Sequence, residues 1–308
     1  MMSAVLPRQR RLEFSVPITA AEIDSQPDIW RIALETQAGR ATELLTLPGA
    51  RVLVLGCGTS AFVAQSFAAL RESAGFGQTD AVYASEPWPW RDYDVVIALT
   101  RSGTTTEVIA ALDALPDGVR TIAVTGVADS PVARRASDVL LLDFADEQSV
   151  VQTRFPTTFL LLARAALGED ITLLPQLAET ALVAPLAIDV HAYSHFVYLG
   201  SGWTYGLAQE AALKIREAAQ AWAESYPVLD YRHGPLAVAD ERSLVWMFGP
   251  RQESLARDIE ATGATVIATG NDPLIELVQA QRLATAIAQS KGLNPDEPRH
   301  LTRSIVLS

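Results

Sequence analysis

From residue 51 onward, short unbroken apolar runs alternate with longer stretches whose apolar residues recur every three or four positions. The runs 52-VLVLG, 81-AVYAS, 94-DVVIALT, 119-VRTIAVT and 138-DVLLLD show no polar alternation. That pattern predicts parallel strands covered on both faces rather than strands with one wet side. The stretches between them predict helices, so the expected fold is α/β with doubly wound parallel sheets. Residues 19–45 also read as helical, with Ile23, Ile29 or Trp30, Leu34 and Ala38 at helical spacing and a break at Pro27.

The same order of elements recurs. Set 53-LVLGCGTSAFVAQSFAALRES beside 197-VYLGSGWTYGLAQEAALKIRE: Gly56 and Gly58 align with Gly200 and Gly202, and Ala64-Gln65 with Ala208-Gln209. Further on, 244-LVWMFGP matches 95-VVIALTRSG and 264-ATVIATG matches 119-VRTIAVTG, at an offset of about 144 residues. The expectation is two tandem flavodoxin-like domains. Residues 1–45 form an N-terminal helical segment, 46–170 the first domain, 171–190 a helical connection, 191–292 the second domain and 293–308 a tail.

Gly56, Gly58 and Ala61 fall on the positions of a dinucleotide-binding G-x-G-x-x-G/A turn. The acidic residue that reading needs about 20 positions later is best met by Glu86, which comes late and is followed by Pro87-Trp88-Pro89-Trp90. Thr59 and Ser60 instead place hydroxyls at a helix start, where free N–H groups favour an anion. The next strand ends in 100-TRSGTTTEV, a second hydroxyl-rich turn carrying Ser102, Gly103, Thr104 and Thr105. Turns from neighbouring parallel strands converge at the carboxyl edge of a sheet. Hydroxyls gathered there suit a compact phosphate monoester better than a dinucleotide.

Charge and cysteine narrow the classes. Lys plus Arg number 24 against 36 Asp plus Glu, a net charge of −12, which argues against a nucleic-acid or anionic-membrane surface. Cys57 is the single cysteine, so an intrachain disulfide and a cysteine-based zinc site are excluded. The N-terminus MMSAVLPRQRRLEFSV has no apolar segment after its basic residues to serve as a leader. The apolar run from Phe159 to Leu167 is broken by Arg164 and too short to span a membrane. These features lead to the expectation of a soluble cytoplasmic protein.

The segments 56-GCGTS, 101-RSGTTTE, 210-EAALKIRE, 231-YRHGPLA and 294-NPDEPRHLTRS, together with 20-AAEIDSQPDIW, resemble the sugar isomerase (SIS) family. Within it they are similar to the isomerase half of glucosamine-6-phosphate synthase, from about residue 20 to the end. The resemblance implies a phosphate site built by Thr59, Ser60, Ser102, Gly103, Thr104 and Thr105, with Gln152 as a further sugar contact. It implies Glu217 as the base moving a proton between C1 and C2, and His233 as the residue assisting ring opening from a second subunit. A homodimer with shared sites follows, with no metal and no nucleotide cofactor. Two departures stand out. The glutamine-hydrolysing domain is absent from this sequence, and Arg303 replaces the tail lysine that forms an imine. A guanidinium remains charged and cannot act as that nucleophile, though it can still contact hydroxyls or phosphate.

Read from the residues alone, Glu210, Lys214 and Glu217 lie at i, i+4 and i+7, on one helix face. Such a stripe is either solvated or turned to a cleft, and the mostly Ala and Gln residues opposite leave no strongly apolar face to compete. Burial of a carboxylate there would raise its pKa, with Lys214 opposing. His233 sits in an R-H-G-P turn, while His191 and His195 lack an obvious third metal ligand. Cys57 reads as a small side chain packed under the helix. The expected function is a phosphosugar aldose–ketose isomerase on an amino-sugar 6-phosphate, with release of ammonia as the further expectation. A plain isomerase and a non-catalytic phosphosugar sensor are the alternatives.

Overall fold

The computed structural model describes residues 16–307. Residues 1–15, which carry most of the stretch read against a leader and the start of the 1–45 segment, lie outside the described residues, as does Ser308. Two helices open the described chain, α1 (Ile18–Asp24) and α2 (Gln26–Leu45). Pro27 falls in the first turn of α2, where a missing N–H costs nothing, so the expected break is a joint between two helices.

The first sheet follows as β1 (Val52–Gly56), α3 (Thr59–Ser73), β2 (Thr79–Tyr83), β3 (Val95–Leu99), α4 (Thr106–Asp113), β4 (Arg120–Thr125), α5 (Pro131–Arg135) and β5 (Asp138–Leu141). All its strands are parallel, in the order β2-β1-β3-β4-β5, which is the flavodoxin-like arrangement. Helices α6 (Arg154–Ala166) and α7 (Leu174–Val183) lead to β6 (His195–Gly200), α8 (Trp203–Ala219), β7 (Trp222–Pro227), β8 (Ser243–Met247), α9 (Glu253–Glu260), β9 (Thr265–Ile267) and α10 (Pro273–Ser290). This second parallel sheet has the order β7-β6-β8-β9, so its four strands repeat the order of neighbours of the first four in the first sheet.

The unbroken apolar runs are explained by where each face goes. Val52, Val54, Ile97 and Ile122 from the first sheet, and Phe196, Tyr198 and Trp246 from the second, all enter one central core. The alternate residues Leu53, Leu55, Val96 and Ala98 face a separate outer core beneath α4 and α5, and Val197, Leu199 and Val245 face another beneath α9. The inner strands β1, β3, β4, β6 and β8 are therefore buried at nearly every position, while the edge strands β2, β7 and β9 are partly exposed. Between β2 and β3 no helix forms; Trp88 and Trp90 pack on the outer core there, with Trp90 edge-on to Tyr93 at 5.4 Å.

Helices α3 and α8 meet inside the central core. A Cβ on Gly206 of α8 would lie 2.2 Å from the Phe62 carbonyl oxygen and 2.2 Å from Ser66 Oγ, so only glycine allows this approach. Arg164, the charge that interrupts the apolar run, is held in α6 by Asp272 at the start of α10, at 2.8 and 2.7 Å, and by Glu169 at 2.8 Å. The end of the chain returns to its beginning, where Asp296 accepts bonds from the Ile18 and Thr19 backbone N–H groups at 2.8 Å each. Among the described residues, no helix is long and apolar enough to cross a membrane.

Candidate active site

Each sheet launches its first helix from a glycine at φ +55°, Gly58 before α3 and Gly202 before α8. Only glycine adopts this backbone without strain. After Gly58 come Thr59 and Ser60, both buried in the first turn of α3. At the second glycine the matching place holds Thr204, whose hydroxyl donates to the Phe248 carbonyl at 3.0 Å and accepts from the Ser201 N–H at 2.9 Å. That hydroxyl is spent on holding its own turn, so the two glycine turns are alike in backbone and different in chemistry.

The turn from β3 to α4 brings Ser102 and Thr105 to the same place as Ser60. These three and Gln152 line a cavity of about 30 Å³, room for roughly one water. Gly103 holds the turn from within, its N–H donating to Thr100 Oγ1 at 3.3 Å, and it does not line the cavity. Thr104 lies beside Ser102, their hydroxyls 3.0 Å apart. Both hydroxyls also meet Ser304 Oγ from the tail, at 3.1 Å from Ser102 and 2.8 Å from Thr104.

Gln152 is placed by a loop tied down on buried carboxylates. Glu147 accepts from the Thr153 N–H at 2.5 Å, the Thr153 hydroxyl at 2.7 Å and the Arg154 N–H at 2.8 Å. Glu22 of α1 accepts from the Gln148 N–H at 2.6 Å, 126 residues away in the chain. Burial raises the Glu147 carboxyl, with the Arg101 charge working against that rise.

Arg101 was not foreseen as part of the site. Its buried guanidinium donates to the Ser149 carbonyl at 2.9 Å and the Arg303 carbonyl at 2.8 Å, joining the hydroxyl turn, the Gln152 loop and the tail. Burial lowers its pKa against the pull of Glu147. The only sequence signal was an arginine wedged between an apolar strand and a hydroxyl turn.

The charged stripe on α8 is mostly interior. Glu210 and Lys214 are fully buried, and only Glu217 reaches a cavity. Neither of the two readings, solvated or turned to a cleft, holds for the whole stripe, because the alanines of α8 pack so closely on α3 and α10 that the helix is enclosed almost all round. Lys214 Nζ donates to Glu217 Oε2 at 2.6 Å and to Thr59 Oγ1 at 3.2 Å, and lies 3.2 Å from Glu210 Oε1. Lys214 therefore ties the first hydroxyl turn to Glu217 from behind. Burial opposes its charge, but Glu210 and Glu217 outweigh this and raise its pKa. Burial pushes the Glu210 carboxyl up to about 7, with Lys214 restraining the rise.

A second cavity of about 160 Å³ continues outward from the first, lined by Thr59, Thr105, Gln152, Glu217, Leu301 and Arg303. The Arg303 guanidinium is bound to both oxygens of Asp146 at 2.5 and 2.6 Å and donates to the Glu147 carbonyl at 2.9 Å. It lines both cavities as part of a strap held by Asp146. Cys57 is half-buried and lines both cavities, instead of lying packed beneath α3; burial raises its thiol to about 11.

His233 lies apart from this cluster. It is exposed in the turn after β7 and lines none of these cavities within its own chain. His195 is engaged by Ser243 Oγ at 2.9 Å and by Glu224 at 3.2 Å. Among the described residues no three His, Cys, Asp or Glu side chains gather as metal ligands would.

The cavities thus assemble residues from two hydroxyl turns, the Gln152 loop, α8 and the tail. The chain is 28% identical to the glutamine–fructose-6-phosphate aminotransferase of Bradyrhizobium diazoefficiens over 94% of its own length and 58% of the relative's. It is 27% identical to the corresponding enzyme of Methanothermobacter thermautotrophicus, over 83% of this chain and 52% of that one. The chain therefore spans just over half the length of these relatives. Among solved structures it resembles the glucosamine-6-phosphate deaminase of Thermotoga maritima, with a TM-score of 0.83, 28% identity and coverage of 94% and 100% of the two chains. It shares its fold with the tagatose-6-phosphate ketose/aldose isomerase of Escherichia coli, with a TM-score of 0.74 at 19% identity over 95% and 99% of the chains. The SIS domain model matches residues 47–167, so this stretch, which spans the whole first sheet and runs to the end of α6, carries a SIS domain.

Proposed function

We propose that this chain is a phosphosugar aldose–ketose isomerase that takes an amino-sugar 6-phosphate and releases ammonia. One observation carries the reading. A carboxylate, Glu217, stands on the wall of a cavity that continues into a cradle of three hydroxyls, from Ser60, Ser102 and Thr105. The phosphate binds in the cradle, where the first turns of α3 and α4 add their N–H groups and dipoles. Ser304 gives up its place between Ser102 and Thr104 as the phosphate enters. The sugar then lies across Gln152 and Thr59, with C1 and C2 at Glu217.

After ring opening to the aldehyde, Glu217 removes the C2 proton and returns it to C1. C1 is reduced and C2 oxidised within the same molecule: O1 gains a proton as the nitrogen loses one, and the amine at C2 becomes an imine. Water hydrolyses that imine, leaving the ketose phosphate and ammonia. Lys214, 2.6 Å from Glu217, holds the base against the sugar and is anchored to the phosphate turn through Thr59. His233 assists ring opening from a second copy of the chain in a homodimer, which accords with its exposure and its distance from the cavity lining. Arg303 contributes position only, and no imine forms on it.

We read the two sheets as duplicated domains, at 46–170 and 191–292. The shared strand order and the matching Gly58 and Gly202 turns support this. The experiment is turnover of hexose and hexosamine 6-phosphates, assayed for both ammonia and ketose. Glucosamine 6-phosphate should yield both, and Glu217→Gln should lose at least 10²-fold in kcat, the usual contribution of a positioned base. Ketose without ammonia would leave a plain isomerase. Tight binding without any turnover would make the chain a sensor.

A further inference from the structure

The loop that presents Gln152 is held by a helix far from it in the chain. Glu22, in the last turn of α1, is a buried carboxylate, 4% exposed. Its Oε1 accepts from the Gln148 N–H at 2.6 Å, and its Oε2 accepts from the Ser149 N–H at 3.4 Å and from the Ser149 hydroxyl. Arg154 balances its charge at 4.0 Å. One turn earlier, the Thr19 hydroxyl donates to Asp296 of the tail at 2.7 Å, so α1 is clipped to the tail at one end and to the loop at the other. Arg101 grips the loop as well, through the Ser149 carbonyl. Three residues beyond Ser149, Gln152 lines both inner cavities, and its buried Oε1 makes no hydrogen bond to the protein. A buried acceptor without a partner carries a desolvation cost that a ligand's donor would offset.

We propose that Glu22 is a positioning residue for the substrate site: it fixes the backbone at Gln148 and Ser149 so that Gln152 Oε1 meets a hydroxyl of the sugar. The inference rests on the phosphosugar reading above and makes α1 a working part of the site. The place requires a carboxylate. The Gln148 N–H, the Ser149 N–H and the Ser149 hydroxyl converge on one side chain. A carboxylate has lone pairs on both oxygens to accept from all of them. An amide of the same shape has a single accepting oxygen and turns its NH2 towards the remaining donors, so the loop has to shift. Gln152 moves with that loop, whereas Ser60, Ser102 and Thr105 sit on other elements and keep their places. Glu22 therefore acts on the sugar contact and leaves the phosphate cradle alone.

The test titrates the full chain calorimetrically with glucosaminitol 6-phosphate, a reduced open-chain analogue that cannot isomerise, and with inorganic phosphate. Glu22→Gln should bind the analogue at least about tenfold more weakly, the scale of a misplaced contact, and phosphate as tightly as the parent does. Gln152→Ala should weaken the analogue to a similar degree. The double variant should be no weaker than Gln152→Ala alone, because Glu22 acts through Gln152. In turnover of glucosamine 6-phosphate the loss should fall on KM, since Glu217 on α8 is untouched. Where Glu22→Gln does not fold, Ser149→Ala removes one of the donors and should shift analogue binding in the same direction, with phosphate unchanged. Unaltered analogue binding, an equal loss of phosphate, or additive losses in the double variant would each overturn the assignment and leave the phosphosugar reading standing. A parent chain that binds phosphate but gains nothing from the sugar would remove both.

Discussion

Glu210 is a fully buried carboxyl whose cationic neighbour Lys214, 3.2 Å away, is shared with Glu217. Its proton is held up to about pH 7 in the folded chain, against an ordinary value of 4.5. Between those values the folded chain binds more protons than the unfolded one, so stability falls as pH rises through the window. Lys214, raised from 10.5, titrates above it. Glu210→Gln should therefore gain stability relative to the parent as pH climbs from 5 to 8, by on the order of 2–3 kcal/mol across the window. Melting curves of both proteins at each pH give the measurement. A constant difference would mean that Glu210 is charged throughout, with Lys214 winning over burial.

At the scale of elements, the site depends on how closely α3 and α8 approach. Thr59 starts one helix and Lys214 lies on the other, and the 3.2 Å bond between them exists because Gly206 lets the helices touch. Gly206→Ala should force them apart, with an overpacking cost of about 1–3 kcal/mol. Denaturant unfolding reads that loss, and the wider gap should also weaken phosphosugar binding. Unchanged stability would show that the helices slide without cost. The elements themselves were legible because each leaves a local trace: double-sided burial gives apolar runs, and Gly58 and Gly202 mark strand-to-helix turns. What could not be read is long-range. Glu22 bracing the Gln152 loop, Arg101 gripping the tail and Asp296 capping α1 are contacts between residues that follow no common period. The enclosure of α8 was missed for a related reason, since a helix rich in alanine carries too little apolar contrast to show how much of it is covered.

At the scale of the molecule, the cavities hold the hydroxyl cradle, Gln152 and Glu217 of one chain, while that chain's His233 faces solvent elsewhere. If ring opening uses a histidine from a second copy, each site of a homodimer draws on both chains. That arrangement gives a complementation test in which two dead proteins make a live one. Glu217→Gln and His233→Ala, each inactive alone, are mixed, unfolded and refolded together so that subunits exchange. Half of the dimers are then mixed, and each contains one intact site, formed by Glu217 of one chain and His233 of the other. About a quarter of the wild-type sites should return, and activity should rise to that level. If the base and the histidine belonged to the same chain, no site in any dimer would be intact and the mixture would stay inactive. Sedimentation of the refolded mixture checks that dimers have formed, so that silence reports on the site and not on assembly.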